Sequence, residues 1–177
     1  MQYPKAYIDY LMYFHAERDF FECHEVMEEY WKEHPEDPLS SNYVGLIQIA
    51  VSMYHHRRGN LKGAVKMLTQ ALHNLTDAGM LRLGLDPVQL RKMLNERLEA
   101  LHPPGIPYSD LDLPIADPEL MNFCMQQCGE QELSWLCASD LSDTYLIHKH
   151  TMRDRSSVIE ERERSRRRKA AGKRDES

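Results

Sequence analysis

Residues 20–31, Phe20-Phe21-Glu22-Cys23-His24-Glu25-Val26-Met27-Glu28-Glu29-Tyr30-Trp31, carry an imidazole and a carboxylate four positions apart. On a helix turning about 100° per residue, Phe20, Cys23, Val26, Met27, Tyr30 and Trp31 form one broad apolar face. Glu22, Glu25, Glu29 and Glu33 fall on the opposite side, where solvent is expected to hold them. His24 and Glu28 do neither: as i and i+4 neighbours they stack at the edge of the apolar face, beside Phe21 and Trp31. That position singles them out among the many polar groups of the segment.

A second polar stripe, Gln48, Ser52 and His55, runs along a stretch too apolar to be a surface helix. Buried polar groups need partners, because an unpaired one costs roughly 1–3 kcal/mol. The expected partners are His24 and Glu28 on the preceding, antiparallel helix, giving a pocket in which His24, Glu28 and His55 converge. Gln48 and His15 are further candidate members. Two imidazoles and a carboxylate suit a divalent transition metal such as zinc, manganese or iron, with a position left for water. Such an ion acts as a Lewis acid or as a source of hydroxide, which makes hydrolysis the reaction class to consider. The spacing matches neither the H-E-x-x-H of zinc proteases nor the paired E-x-x-H of di-iron bundles. The competing reading is structural: a His–Glu hydrogen bond that locks a helix edge, with His55 anchoring a turn. Arg58, in Arg57-Arg58-Gly59-Asn60, is a candidate anion ligand beside helix-terminal amides; its structural alternative is a bridge to Glu25 or Glu28. Trp31 is expected to anchor the core, and His34, His56, His73, His148 and His150 to be surface residues.

Helical periodicity positions these groups. A first helix is expected over about Lys5–Arg18, and a second begins after Asp19, where Asp19 and Glu22 form a capping-box-like pair and Pro35 sets the end. A third, about Asn42–Arg58, is apolar nearly all round and should be central. Gly59-Asn60 makes a turn in which Asn60 caps a fourth helix carrying Leu61, Ala64, Val65, Leu68, Ala71, Leu72 and Leu75. Asp86-Pro87 opens a fifth that ends near Leu101, and Asp117-Pro118 another through about Cys128. A last amphipathic stretch covers Leu133, Trp135, Leu136 and Leu141. The fold class is all-α, a compact antiparallel bundle of about five to seven helices. Its divisions are a 1–101 core with the His/Glu motif, a 102–150 Pro-rich segment with added helices packed on the core, and a charged, basic, mobile tail over 151–177.

Composition bounds the function. The chain has 177 residues, 42% hydrophobic and 28% charged, with a net charge of −6. Residues 151–177 hold ten basic and six acidic groups, a net +4, which leaves the first 150 residues at −10. An acidic body argues against a broad phosphate-binding surface, so any nucleic-acid binding falls to the tail, where Arg162–Lys169 has no aromatic residue to stack bases. No apolar run reaches the roughly 18–20 residues of a membrane span, and the first residues lack a signal-peptide pattern. A cytoplasmic protein with a small-molecule or protein partner is expected. Cys23, Cys124, Cys128 and Cys137 form no C-x-x-C pair and are expected to be small buried thiols.

The same motif carries a resemblance. His24, Glu28 and Trp31 match the His-x-x-x-Glu-x-x-Trp pattern of the small bacterial and archaeal proteins grouped as domain-of-unknown-function family 309. Gly45-Leu46-Ile47-Gln48-Ile49-Ala50 and Tyr54-His55-His56-Arg57-Arg58-Gly59-Asn60, followed by Gly63-Ala64, resemble its second block. The resemblance covers roughly residues 5–101. It implies a compact all-helical fold and metal binding at the His/Glu motif, and no defined reaction. One departure concerns the turn before Phe20-Phe21, where the family often has Gly and this chain has Arg18-Asp19. Two functional classes follow: a metal-binding, hydrolytic helical protein, and a non-enzymatic interaction module whose His/Glu/Trp motif supports the core.

Overall fold

Good caps start most of the helices. In the computed structural model, which describes residues 3–152, Asp19 accepts the Glu22 N–H, Asn60 the Gly63 N–H, Asp86 the Gln89 N–H and Asp117 the Glu119 and Leu120 N–H groups. Each such cap is worth about 1 kcal/mol. Among the described residues the helices are α1 (Lys5–Met12), α2 (Phe20–Glu33), α3 (Ser40–Arg57), α4 (Leu61–Asn74), α5 (Asp77–Arg82), α6 (Pro87–Leu101), α7 (Pro118–Glu130) and α8 (Thr144–Met152). No strand is present among them; Leu85 and Ile115 make a single antiparallel bridge. The all-α expectation holds. None of these helices is long and apolar enough to cross a membrane.

α3 is the central element, with Tyr43, Leu46, Ile49, Ala50 and Met53 essentially inaccessible to solvent. α2 packs on one side of it and α4 on another. The α3–α4 approach is close because the facing residues are small: Ala64 and Ala71 are fully buried, and a Cβ at Gly45 would stand 2.7 Å from the Leu75 side chain. The buried tyrosines keep their hydroxyls satisfied, Tyr7 donating to the Leu83 carbonyl at 2.7 Å and Tyr10 to the Leu46 carbonyl at 2.8 Å.

Three elements differ from the sequence expectation. The first helix leaves α geometry after Met12, and Tyr13–Glu17 form a π-helical turn that ends at Arg18, whose φ of 54° and ψ of 27° are left-handed. α5 is an added short helix capped by Thr76, which accepts the Gly79 N–H. The stretch 133–141 is not helical: Glu132 and Leu136 take φ of 57°, and the chain re-enters a helix only at Thr144. α8 is itself interrupted at His148 (φ −114°, ψ 24°). Residues through Ile147 belong to one unit, and His148 begins a second. Most of the basic tail lies outside the described residues.

Candidate functional site

α2 presents His24 and Glu28 as the wheel requires, on its half-buried flank. His24 Nε2 lies 3.4 Å from Glu28 Oε2. The other ring nitrogen, Nδ1, lies 3.1 Å from Glu25 Oε1. Side-chain exposures of 31%, 36% and 33% for His24, Glu25 and Glu28 put all three at the boundary between protein and water. One ligand atom from each falls within 4.8 Å of the others, the one such group of three or more His, Cys, Asp or Glu side chains among the described residues. Lys32, one turn on, reaches Glu28 Oε1 at 3.1 Å. The Phe21 ring stands 6.4 Å from the imidazole and 6.2 Å from the Tyr54 ring, an apolar wall on one side of the group.

Glu25 corrects the expectation that it points to solvent. Its backbone sits on the polar side of the wheel, but a flexible two-methylene side chain next to His24 swings back to the imidazole. His55 is a second correction, since it is not part of the group. Its Nδ1 accepts from Asn60 Nδ2 at 3.1 Å, and burial, reinforced by the Arg58 charge, holds the imidazole below its ordinary pKa. The polar stripe of α3 exists but serves α4 rather than α2. Gln48 accepts from Asn74 Nδ2 at 2.9 Å, Ser52 donates to the Ala64 carbonyl at 2.8 Å, and His55 meets the Asn60 cap at the start of α4. The small residues of α4 bring its backbone within reach of these side chains.

His15 is likewise placed elsewhere, fully buried with both ring nitrogens committed. Nδ1 donates to the Leu11 carbonyl at 3.0 Å, and Nε2 accepts the Leu113 N–H at 2.9 Å. Burial lowers its pKa to about 4, and no lone pair remains for a ligand. Trp31 is partly buried against the core and donates to Ser40 Oγ at 2.8 Å, across the α2–α3 loop. Arg58 lies over the Tyr54 ring, 5.3 Å from its centre, with Nε buried and without a hydrogen-bond partner. His56, expected on the surface, is buried: Nε2 donates to the Ile106 carbonyl at 3.0 Å. Cys23, Cys124 and Cys128 are buried as expected, and Cys137 is half-exposed.

Arg18 is the residue that sequence reasoning did not find. Its guanidinium, 2% exposed, donates to the carbonyls of Cys137, Phe14 and Leu111 and to Asp112 Oδ1, the last at 2.7 Å. It thereby fastens the Pro-rich segment and the 133–141 stretch to the α1–α2 corner. Nothing in helical periodicity marks it; the one signal is its place in a two-residue link between helices.

The fold and the motif geometry can be compared with known proteins. The profile of a domain of unknown function, DUF309, matches residues 7–67, which include α2 and the whole polar stripe of α3. The uncharacterized protein YpuF of Bacillus subtilis (strain 168) is 43% identical over 164 residues, covering 92% of this chain and 94% of that protein. The chain belongs to the DUF309 family. A second relative, an uncharacterized protein of Aquifex aeolicus (strain VF5), is 28% identical over 94 residues, covering 51% of this chain and 28% of its own length. No solved structure matches. In this DUF309 protein the backbone at Arg18 is left-handed, a region that glycine enters without penalty, and Arg18 offsets the penalty with its buried hydrogen bonds.

Proposed function

We propose that this DUF309 protein binds a divalent transition metal, zinc, manganese or iron, on the flank of α2 through His24, Glu25 and Glu28. The supporting observation is the convergence of three ligand atoms within 4.8 Å on one helix. Donors around a tetrahedral zinc stand about 3.3 Å apart, so modest rotations of the glutamates close the set. Three ligands leave the remaining positions to water, and metal-bound water is the group that hydrolysis would use. Elemental analysis of protein purified without an affinity tag tests the reading. About one metal per chain is expected in the native protein, and little in His24→Ala. Equal content in the two removes it. Hydrolysis is tested separately, by metal-dependent turnover of p-nitrophenyl esters and its loss in Glu28→Gln.

One observation favours a second reading. Both nitrogens of His24 already face carboxylates, and Lys32 already pairs with Glu28, so the group closes through one hydrogen bond and two further close polar contacts without an ion. The bundle is then a non-enzymatic interaction module whose motif supports α2. In that case His24→Ala lowers the melting temperature, and divalent metals leave the native protein's melting temperature unchanged.

A further inference from the structure

A cleft of about 310 Å³ is bounded by α6, the 112–116 segment and α7, and shares no residue with the His24 group. That volume lies at the small end of ligand sites. Its walls are apolar: Met93 of α6, Met121 of α7, Ile115 and Trp135 are each half-buried, and Leu136 completes the rim. Leu136 is 48% exposed and holds a left-handed backbone (φ 57°), a conformation that L side chains rarely adopt. Backbone strain of this kind collects at binding sites.

The charged residues that line the cleft, Asp86 and Asp112, are both acids. The Asp86 N–H donates to the Pro114 carbonyl at 2.9 Å, next to the Leu85–Ile115 bridge, so Asp86 lies opposite Pro114. Alternate residues of an extended pair share a face: Leu85 and Leu113 are buried, and Asp86 and Asp112 fall on the outer face. Each acid gives one oxygen to the fold. Asp86 Oδ1 accepts the Gln89 N–H at 2.9 Å, and Asp112 Oδ1 accepts from Arg18 at 2.7 Å. Oδ2 of each accepts no hydrogen bond from any described residue. Arg18 divides its charge between Asp112 and Asp110, the latter 4.0 Å away, so the corner stays negative.

We infer that this cleft binds a small organic cation with an apolar body, the body against Met93, Met121 and Leu136 and the ammonium beside Asp86 and Asp112. The two thioethers adapt to bodies of different outline. With two carboxylates and no basic side chain among the described lining residues, the cleft repels anions. A neutral molecule gains the apolar contact alone.

Titration of the isotope-labelled full chain with 4-phenylbutylamine, followed by NMR at the Trp135 indole signal, tests the proposal. 4-Phenylbutanol and 4-phenylbutanoate keep the body and replace the positive charge by none or by its opposite. A saturable shift is expected, with the amine bound about fivefold or more tighter than the alcohol, the scale of one exposed charge contact. The acid should bind more weakly than the alcohol. Asparagine caps a helix as well as aspartate does, so Asp86→Asn should keep the native melting temperature. It should bring the amine to within about twofold of the alcohol. Asparagine also tolerates a left-handed backbone, so Leu136→Asn should fold and weaken amine and alcohol alike, by about threefold or more. Three results would each overturn the proposal: no saturable shift up to about 20 mM amine, an alcohol that binds as tightly as the amine, or native affinity in either variant.

Discussion

Arg57 Nη1 donates to the backbone carbonyl of Arg18 at 2.8 Å, so the last residue of α3 holds the corner between α1 and α2. The Arg57 guanidinium also lies 4.8 Å from the centre of the Phe20 ring, at the first residue of α2. Two arginines therefore fasten one corner, Arg57 through the backbone of Arg18 and Arg18 through its own side chain. Replacing Arg18 by Gly relieves the left-handed backbone, worth about 1 kcal/mol, yet strips the hydrogen bonds of its guanidinium. A net loss of about 2–4 kcal/mol is expected in urea denaturation. Arg18→Lys should lose nearly as much, because an ammonium lacks the planar fork that reaches several acceptors at once. Native stability in Arg18→Gly would show that the guanidinium adds no more than the backbone relief, about 1 kcal/mol.

His15 makes stability sensitive to acid. Burial lowers its pKa to about 4, with Arg18 acting in the same direction and Asp112 and the backbone hydrogen bonds opposing. The unfolded chain takes up the proton near pH 6.5, so the unfolded state binds more protons between that pH and about 4. The stabilisation from neutral His15 is complete above pH 6.5 and declines as pH falls toward 4, a loss of about 2 kcal/mol by pH 5. Denaturation of the native protein and of His15→Gln at pH 7 and pH 5 checks this. The gap between the two proteins should narrow at pH 5; an unchanged gap would show that His15 does not titrate in that window.

Gly79 packs against the Asn42 side chain, and an added Cβ would overlap the amide. That amide is engaged twice, accepting from Thr76 Oγ1 at 3.0 Å and donating to the Thr76 carbonyl at 3.1 Å. Gly79→Ala should cost about 2–3 kcal/mol despite alanine's better helix propensity, since Asn42 has to give up those bonds. The thermal shift of Gly79→Ala beside that of Asn42→Ala measures it. If Gly79→Ala raises the melting temperature, the contact is looser than described.

The metal reading distinguishes two residues that sequence alone ranked the other way. Glu25→Gln should weaken metal binding by about tenfold or more, because it removes a charged ligand. His55→Ala should leave metal affinity unchanged and lower thermal stability through the lost Asn60 contact. Titration of both variants with zinc and manganese decides. Loss of binding in His55→Ala would restore the two-histidine set.

Helix starts were legible because a cap is a local event: Asp19, Asn60, Asp86-Pro87 and Asp117-Pro118 each act within one turn of themselves. Periodicity also identified α3 as central and His24 and Glu28 as edge residues. It showed which face carries Gln48, Ser52 and His55, but not which neighbour that face meets, since that depends on how small the residues of the next helix are. Glu25 was misread because a wheel places backbones, and a glutamate side chain reaches across the angle between two of them. Arg18 was missed because one buried cation has no period. Its partners, Leu111, Asp112 and Cys137, lie about a hundred residues away in segments without regular structure.

The π-helical turn at Tyr13–Glu17 adds, in effect, one residue to the first helix, and a single inserted residue rotates everything before it by about 100° relative to everything after it. Phe14 and His15, seven and eight residues after Tyr7, fall on the face of Tyr7, Ile8 and Leu11 and are buried with them. Deleting Tyr13 would set Phe14 back by one position, about 100°, and turn it off the face that Tyr7, Ile8 and Leu11 share. The extra residue thus sets where the chain leaves the helix at Arg18, a matter of segment length rather than of any one side chain.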